Sequence, residues 1–139
     1  MVQLIVGEKG KGKTKQILDK VNTEVKNVSG NVVYLDKSTK NMYELNNKVR
    51  LIDVSDYFID DVNEFLGFIS GIISQDHDLE QMYLDSFFII SKCELAKFDT
   101  CLEKLEKISE KYNVNFVISG SVSESELSDY AKSKVIISL

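Results

Sequence analysis

The sequence predicts an α/β sandwich built on a mostly parallel sheet. Short runs rich in Val, Ile and Leu alternate with longer segments of helical hydrophobic period along all 139 residues. That length suits one domain, residues 1–139, and no linker, repeat or low-complexity tract divides it. Apolar residues make up 43% and charged residues 28%, the balance of a globular chain that buries a core without metal or disulfides.

Residues 2–6 form an apolar run closed by Gly7, the pattern of a buried strand. Residues 13–27 follow as a helix, with Ile17, Leu18, Val21 and Val25 on one face and Val28 continuing it. Ser29, Gly30 and Asn31 stop that helix. Residues 32–35 are a second strand closed by Asp36, residues 38–46 a short helix, and residues 49–54 a third strand. Residues 61–74 are a strong helix, because Val62, Phe65, Leu66, Ile69, Ile72 and Ile73 recur at helical spacing. Gly67 and Gly71, four apart on that helix, are expected to admit another element closely. Residues 75–78 make a turn carrying His77, the only His.

Residues 81–84 are a strand closed by Asp85, and the following Phe87, Phe88, Ile89 and Ile90 have strand composition. Residues 97–112 form a helix with Phe98, Cys101, Leu102, Leu105 and Ile108 inward, and Thr100 with Glu103 as a capping box. Residues 114–118 are a strand ended by Ser119, Gly120 and Ser121. Ser123 and Glu126 form a second capping box that opens a helix to residue 132, and residues 135–137 are the last strand.

Charge excludes some partners. The net charge is −5, from 17 basic and 22 acidic residues. From Asp53 to Asp85 there are nine acidic residues and no Lys or Arg. Such a surface repels phosphate, so nucleic acid is not expected as a partner. The apolar uncharged stretch over residues 65–75 is too short to span a bilayer, as is the longest uncharged stretch, residues 112–123, so no membrane partner is expected. No basic leader precedes the first apolar run, and Cys93 and Cys101 match no zinc or redox spacing. Both features point to a cytoplasmic protein with reduced thiols.

Residues 7–14 read Gly7, Glu8, Lys9, Gly10, Lys11, Gly12, Lys13, Thr14. They satisfy G-x-x-x-x-G-K-[ST] at every fixed position, between a predicted strand and a predicted helix. Gly10 and Gly12 let the backbone curl so that successive N–H groups point at phosphate oxygens. The helix start adds unpaired N–H groups and the positive end of its dipole. Lys13 is a point charge for the outer phosphates, and the Thr14 hydroxyl is a hard oxygen suited to Mg²⁺. Lys9 and Lys11 add positive potential around the loop.

At these residues the chain resembles the P-loop NTPase superfamily, which implies a three-layer α/β/α fold, ATP with Mg²⁺, and a strand-end Asp in the metal shell. Asp36, Asp53 and Asp85 are the three candidates. Sequence pattern prefers Asp36. Topology prefers Asp85, because the RecA-like (additional-strand) branch inserts one strand between the P-loop strand and the Asp-bearing strand. With residues 114–119 inserted, the implied sheet order is 5-1-4-3-2, with 49–54 as an extra edge strand; the Asp-bearing strand then ends at Asp85, so the strand-like run 87–90 is expected to turn inward as loop or helix. The same branch implies a polar sensor at Ser119, with Ser121 as the alternative. Ser86 stands where a catalytic Glu would follow Asp85, which leaves Asp36 as the carboxylate to polarise a water beside Lys13.

The loop, residues 57–74 and residues 76–85 also resemble small stand-alone bacterial ATP-binding proteins, some labelled as twitching-motility proteins. That resemblance implies ATP binding. It does not extend to motility, because a pilus retraction motor has a second domain and a His-rich box. The expected function is ATP binding with weak or partner-dependent hydrolysis, in a regulatory role. The alternatives are a small-molecule phosphotransferase and a nucleotide-binding interaction module without turnover. A homo-oligomer and a separate protein partner both stay open.

Overall fold

The computed structural model describes residues 1–139. Six strands form one sheet: β1 (Val2–Gly7), β2 (Asn31–Asp36), β3 (Val49–Asp53), β4 (Leu79–Leu84), β5 (Asn115–Ser121) and β6 (Val135–Ser138). Every neighbouring pair is parallel, in the order β3-β2-β4-β5-β1-β6. Five helices complete the chain: α1 (Lys13–Glu24), α2 (Val62–Ser74), α3 (Phe87–Ser91), α4 (Phe98–Tyr112) and α5 (Asp129–Lys132).

The two-residue period of a strand divides the interior. Leu4, Val6, Val33, Leu35, Met82, Leu84, Phe116 and Ile118 face a core of 28 buried residues shared with α2, α3 and α4. Ile5, Val32, Tyr34, Tyr83 and Val117 face a smaller core of ten residues, closed by Ile17, Leu18, Val21 and Val25 of α1. The sheet is therefore the middle of three layers, with a thin layer on the α1 side. No helix is long and apolar enough to cross a membrane.

With β3 set apart, β6-β1-β5-β4-β2 follow the expected order 5-1-4-3-2, and β3 occupies the edge expected of residues 49–54. β3 pairs with β2 over five residues, from Val32 with Val49 to Asp36 with Asp53, and so is a full sixth member of the sheet. The segment expected as a helix over 38–46 is only a 3-10 turn at Met42–Glu44. Asn22 of α1 pins it there, donating to the Glu44 carbonyl at 2.7 Å and accepting the Asn46 N–H at 2.8 Å.

Three capping and packing expectations are also corrected. Helix α4 begins on Lys97 after a 3-10 turn, so Thr100 lies inside the helix and caps nothing. Ser123 bonds the Glu126 side chain at 2.9 Å within a 3-10 turn, and the true cap is Ser128, which accepts the Ala131 N–H at 3.1 Å. Helix α2 packs through Phe65, Leu66, Ile69 and Ile73, while Gly67 and Gly71 face open space. The strand-like run from Phe87 to Ile90 is helical. Ser86 takes a left-handed conformation (φ 57°), which turns the chain out of the sheet and buries Phe87 completely.

Candidate functional site

The site forms where β1, β4 and β5 end and α1 begins. β1 stops at Gly7, and five residues later Gly12 caps α1 with φ 96°. Gly10 has φ 84°. Side chains rarely tolerate either value, so the two glycines permit the loop's curl. Gly12 offers no side chain to cap α1, so its first N–H groups are open to an anion.

Register brings the polar strand ends together. Leu35 pairs with Leu84, Leu84 with Ile118, and Ile5 with Ser119. One residue further on, Asp36, Asp85 and Ser119 follow one another across β2, β4 and β5. The two-residue period puts Asp36 on the same face as Tyr34, and Asp85 on the same face as Tyr83, which is the α1 side.

Asp85 is 2% exposed and accepts from four donors. Its Oδ2 accepts from the Thr14 hydroxyl at 3.2 Å and from the Tyr34 hydroxyl at 2.9 Å. Its Oδ1 accepts from the Ser119 hydroxyl and from the Ser86 N–H at 2.9 Å. The Ser86 N–H also reaches Ser119 Oγ at 3.0 Å. Burial pushes the Tyr34 phenol far above its ordinary value, and the charge and hydrogen bond of Asp85 push it the same way. Tyr34 is thus a fixed donor to Asp85.

Lys13 is buried, and its Nζ donates to the Glu8 carbonyl at 2.9 Å. Burial pulls its ammonium below the ordinary lysine value, and attraction to Asp85 opposes that. Lys13 therefore carries a charge whose solvation is poor and which lacks an ion-pair partner. Above it lies a cavity of about 270 Å³ with no apolar lining. Lys9, Gly10, Gly12, Lys13 and Thr14 form one wall; Lys37, Asp85, Ser86, Ser119 and Ser121 form the other.

Most of the sequence-predicted residues therefore converge. The exceptions are informative. Gly7 is the last rung of β1, Glu8 contributes its carbonyl to Lys13, and Lys11 turns its N–H to the Glu8 carbonyl while its side chain stays exposed. Asp36 is buried beside the cavity without lining it: Oδ1 accepts the Lys37 N–H at 2.7 Å and Oδ2 the Asn41 amide at 3.2 Å. Asp53 caps its own turn through Ser55. Tyr34, Lys37 and Ser86 belong to the site although the motif does not include them. Tyr34 had a signal: a tyrosine inside an otherwise aliphatic buried strand needs a partner for its hydroxyl.

The donor set suits a hard cation. A threonine hydroxyl has one proton and two lone pairs, so Thr14 can donate to Asp85 and still offer oxygen to a metal. No three acidic, His or Cys side chains converge elsewhere as a metal site. An ion held by Thr14 and Asp85 alone would need oxygens from water and phosphate, which is how Mg²⁺ is usually bound. No protein-family model matches the chain, and no curated protein matches it significantly.

Proposed function

We propose that the chain binds ATP with Mg²⁺ in the loop from Gly7 to Thr14 and hydrolyses it slowly unless a partner assists. The observation that carries this reading is the hydrogen bond from Thr14 to Asp85 across 71 residues of sequence, at the rim of a cavity lined by Gly10, Gly12 and Lys13. The position of β5 between β1 and β4 supports the finer fold reading, a P-loop NTPase sandwich of the RecA-like branch. In this reading Gly10, Gly12 and the start of α1 surround the phosphates, Lys13 turns from the Glu8 carbonyl to the outer phosphates, and Thr14 and Asp85 hold Mg²⁺. The bound ion would neutralise charge on the β- and γ-phosphates.

Slow turnover follows from what surrounds the cavity. Ser86 offers no carboxylate, and the oxygens of Asp36 are taken up by Lys37 and Asn41. Calorimetry with Mg·ATP tests the binding. Lys13→Ala should weaken it by about 2–3 kcal/mol, roughly 30- to 150-fold, as for a lost charge-assisted contact. Equal affinities in wild type and variant would end the proposal. A phosphotransferase is the second reading, favoured by one observation: an adjoining cavity that shares Lys37 with the first.

A further inference from the structure

That adjoining cavity has a volume of about 220 Å³ and lies between the end of β2, the loop after β3, and α3. Val54, Ile59 and Ile90, all buried, are its apolar floor. Tyr57 and Ile89 stand at its side, each 52% exposed. The loop carrying Tyr57 is held in shape, with the Tyr57 N–H on the Val54 carbonyl at 3.1 Å and the Tyr57 ring against Phe68 at 5.2 Å.

Its charge is the informative property. The floor and side belong largely to the chain's acidic stretch, where Asp53, Asp56, Asp60 and Asp61 surround the loop in sequence. None of these lines the cavity, and Asp53 is turned onto Ser55. The only charged groups that line it are Lys37 and Lys92, and neither is in an ion pair. An acidic protein thus presents an apolar recess bordered by two lysines that are in no ion pair, with the buried Asp36 carboxyl close enough to feel the charge of Lys37. A cavity of 150 Å³ admits benzene, so this one has room for a ring or branched aliphatic group with one anionic substituent.

We propose that this recess binds a small organic anion with an apolar body, an aromatic or branched aliphatic carboxylate or phosphate ester, as the second ligand of the protein. Its placement beside a nucleotide rests on the ATP reading above; its binding does not. Lys37, which borders both cavities, would lie between the two ligands.

Benzoate, phenyl phosphate and the neutral benzyl alcohol, each titrated into methyl-labelled protein, test this through the side-chain signals of Ile59, Ile89 and Ile90. Mg·ATP is titrated separately and read at the amides of Gly10 and Gly12. At least one anion should shift the three isoleucines saturably and bind at least about fivefold tighter than benzyl alcohol, the effect of one partly exposed charge contact. The better anion assigns the head group. Lys92→Gln should diminish that preference, Lys37 remaining, and leave Mg·ATP affinity unchanged. Lys92→Gly repeats the test without a side chain at a left-handed residue, φ 59°. Absence of saturable shifts, equal binding of benzyl alcohol, or an undiminished preference in both variants overturns the proposal. Anion binding without an ATP response upholds it and overturns the nucleotide reading; ATP binding without anion binding does the reverse.

Discussion

Asp85 and Asp36 end neighbouring parallel strands on the same face of the sheet, and each is 2% exposed. What reaches them differs. Asp85 gathers donors from α1, β2 and β5 and from the following residue, so it ties together segments up to 71 residues apart. Asp36 is held only by Lys37 and Asn41, one and five residues onward. Equal burial therefore accompanies two unlike roles: one carboxylate organises the site and the other fastens a local turn. Their proximity is felt at Asp36, whose carboxyl is held above the ordinary value of 3.8, first by burial and then by the charge of Asp85.

The largest effect should come from Asp85→Asn. An amide carries one acceptor oxygen where the carboxylate has two, so some of the four donors lose their partner. The cost should be about 1–3 kcal/mol of stability, measured by urea denaturation. In the proposed function the same change also removes the Mg²⁺ dependence of ATP binding. If Asp36→Asn removes that dependence and Asp85→Asn leaves it intact, the roles of the two carboxylates are reversed.

Tyr34→Phe sharpens the contrast. It deletes one donor to Asp85 and keeps the ring that stacks on Tyr83 at 6.4 Å. A loss of about 1.5 kcal/mol is expected, the low end for one hydrogen bond to a charged group, since packing is retained and Asp85 keeps its other donors. A stability unchanged by the substitution would show that Asp85 does not depend on β2.

Asp36→Asn should act mainly through pH. An acid whose value is raised in the fold binds its proton more readily there than in the unfolded chain. The folded state is then most favoured below the ordinary value and loses stability as pH rises through the raised one. The Asn variant lacks this loss. As pH rises above the ordinary carboxyl value of 3.8 and through the raised one, the melting temperature of the wild type should therefore fall relative to the variant. Parallel melting curves for the two proteins across that range would show that Asp36 carries no such penalty.

The same pair of residues explains what the sequence can and cannot reveal. The Gly-rich loop is legible because its backbone demands are written in contiguous residues, and the strand before it and helix after it have clear periods. Asp36 and Asp85 look alike in sequence, each an Asp closing an apolar run. Only their neighbours in the sheet separate them, and those are set by strand order. That the buried Tyr34 hydroxyl needs a partner is legible, but which partner is not, since it lies 51 residues away. Lys37 escapes because a lysine after a strand is ordinary; what matters is that two cavities meet at it. The run from Phe87 to Ile90 reads as strand from composition, but the left-handed turn at Ser86, tied to Asp85 and Ser119, starts a helix there instead.

The smallest effect should come from Arg50→Ala, and its smallness is a test of topology. Efficient phosphoryl transfer usually needs a cation that meets charge developing on the γ-phosphoryl group, and an arginine finger contributes about 10³–10⁵ in rate. Arg50 is the chain's only arginine. It is exposed at the second residue of β3, whereas the candidate site lies at the strand ends two positions across the sheet at β4. In a parallel sheet strand starts lie opposite the ligand end, so Arg50 cannot reach the cavity within its own chain. Lys37 is the nearer cation, but an ammonium lacks the guanidinium's bidentate fork and substitutes less well. Turnover by the isolated protein should accordingly stay far below the roughly 1–100 s⁻¹ of kinases, and Arg50→Ala should leave it unchanged. A large drop in that basal rate would mean that Arg50 reaches the phosphates from another copy of the chain. A dependence of the wild-type rate on protein concentration, absent in the variant, would establish that route.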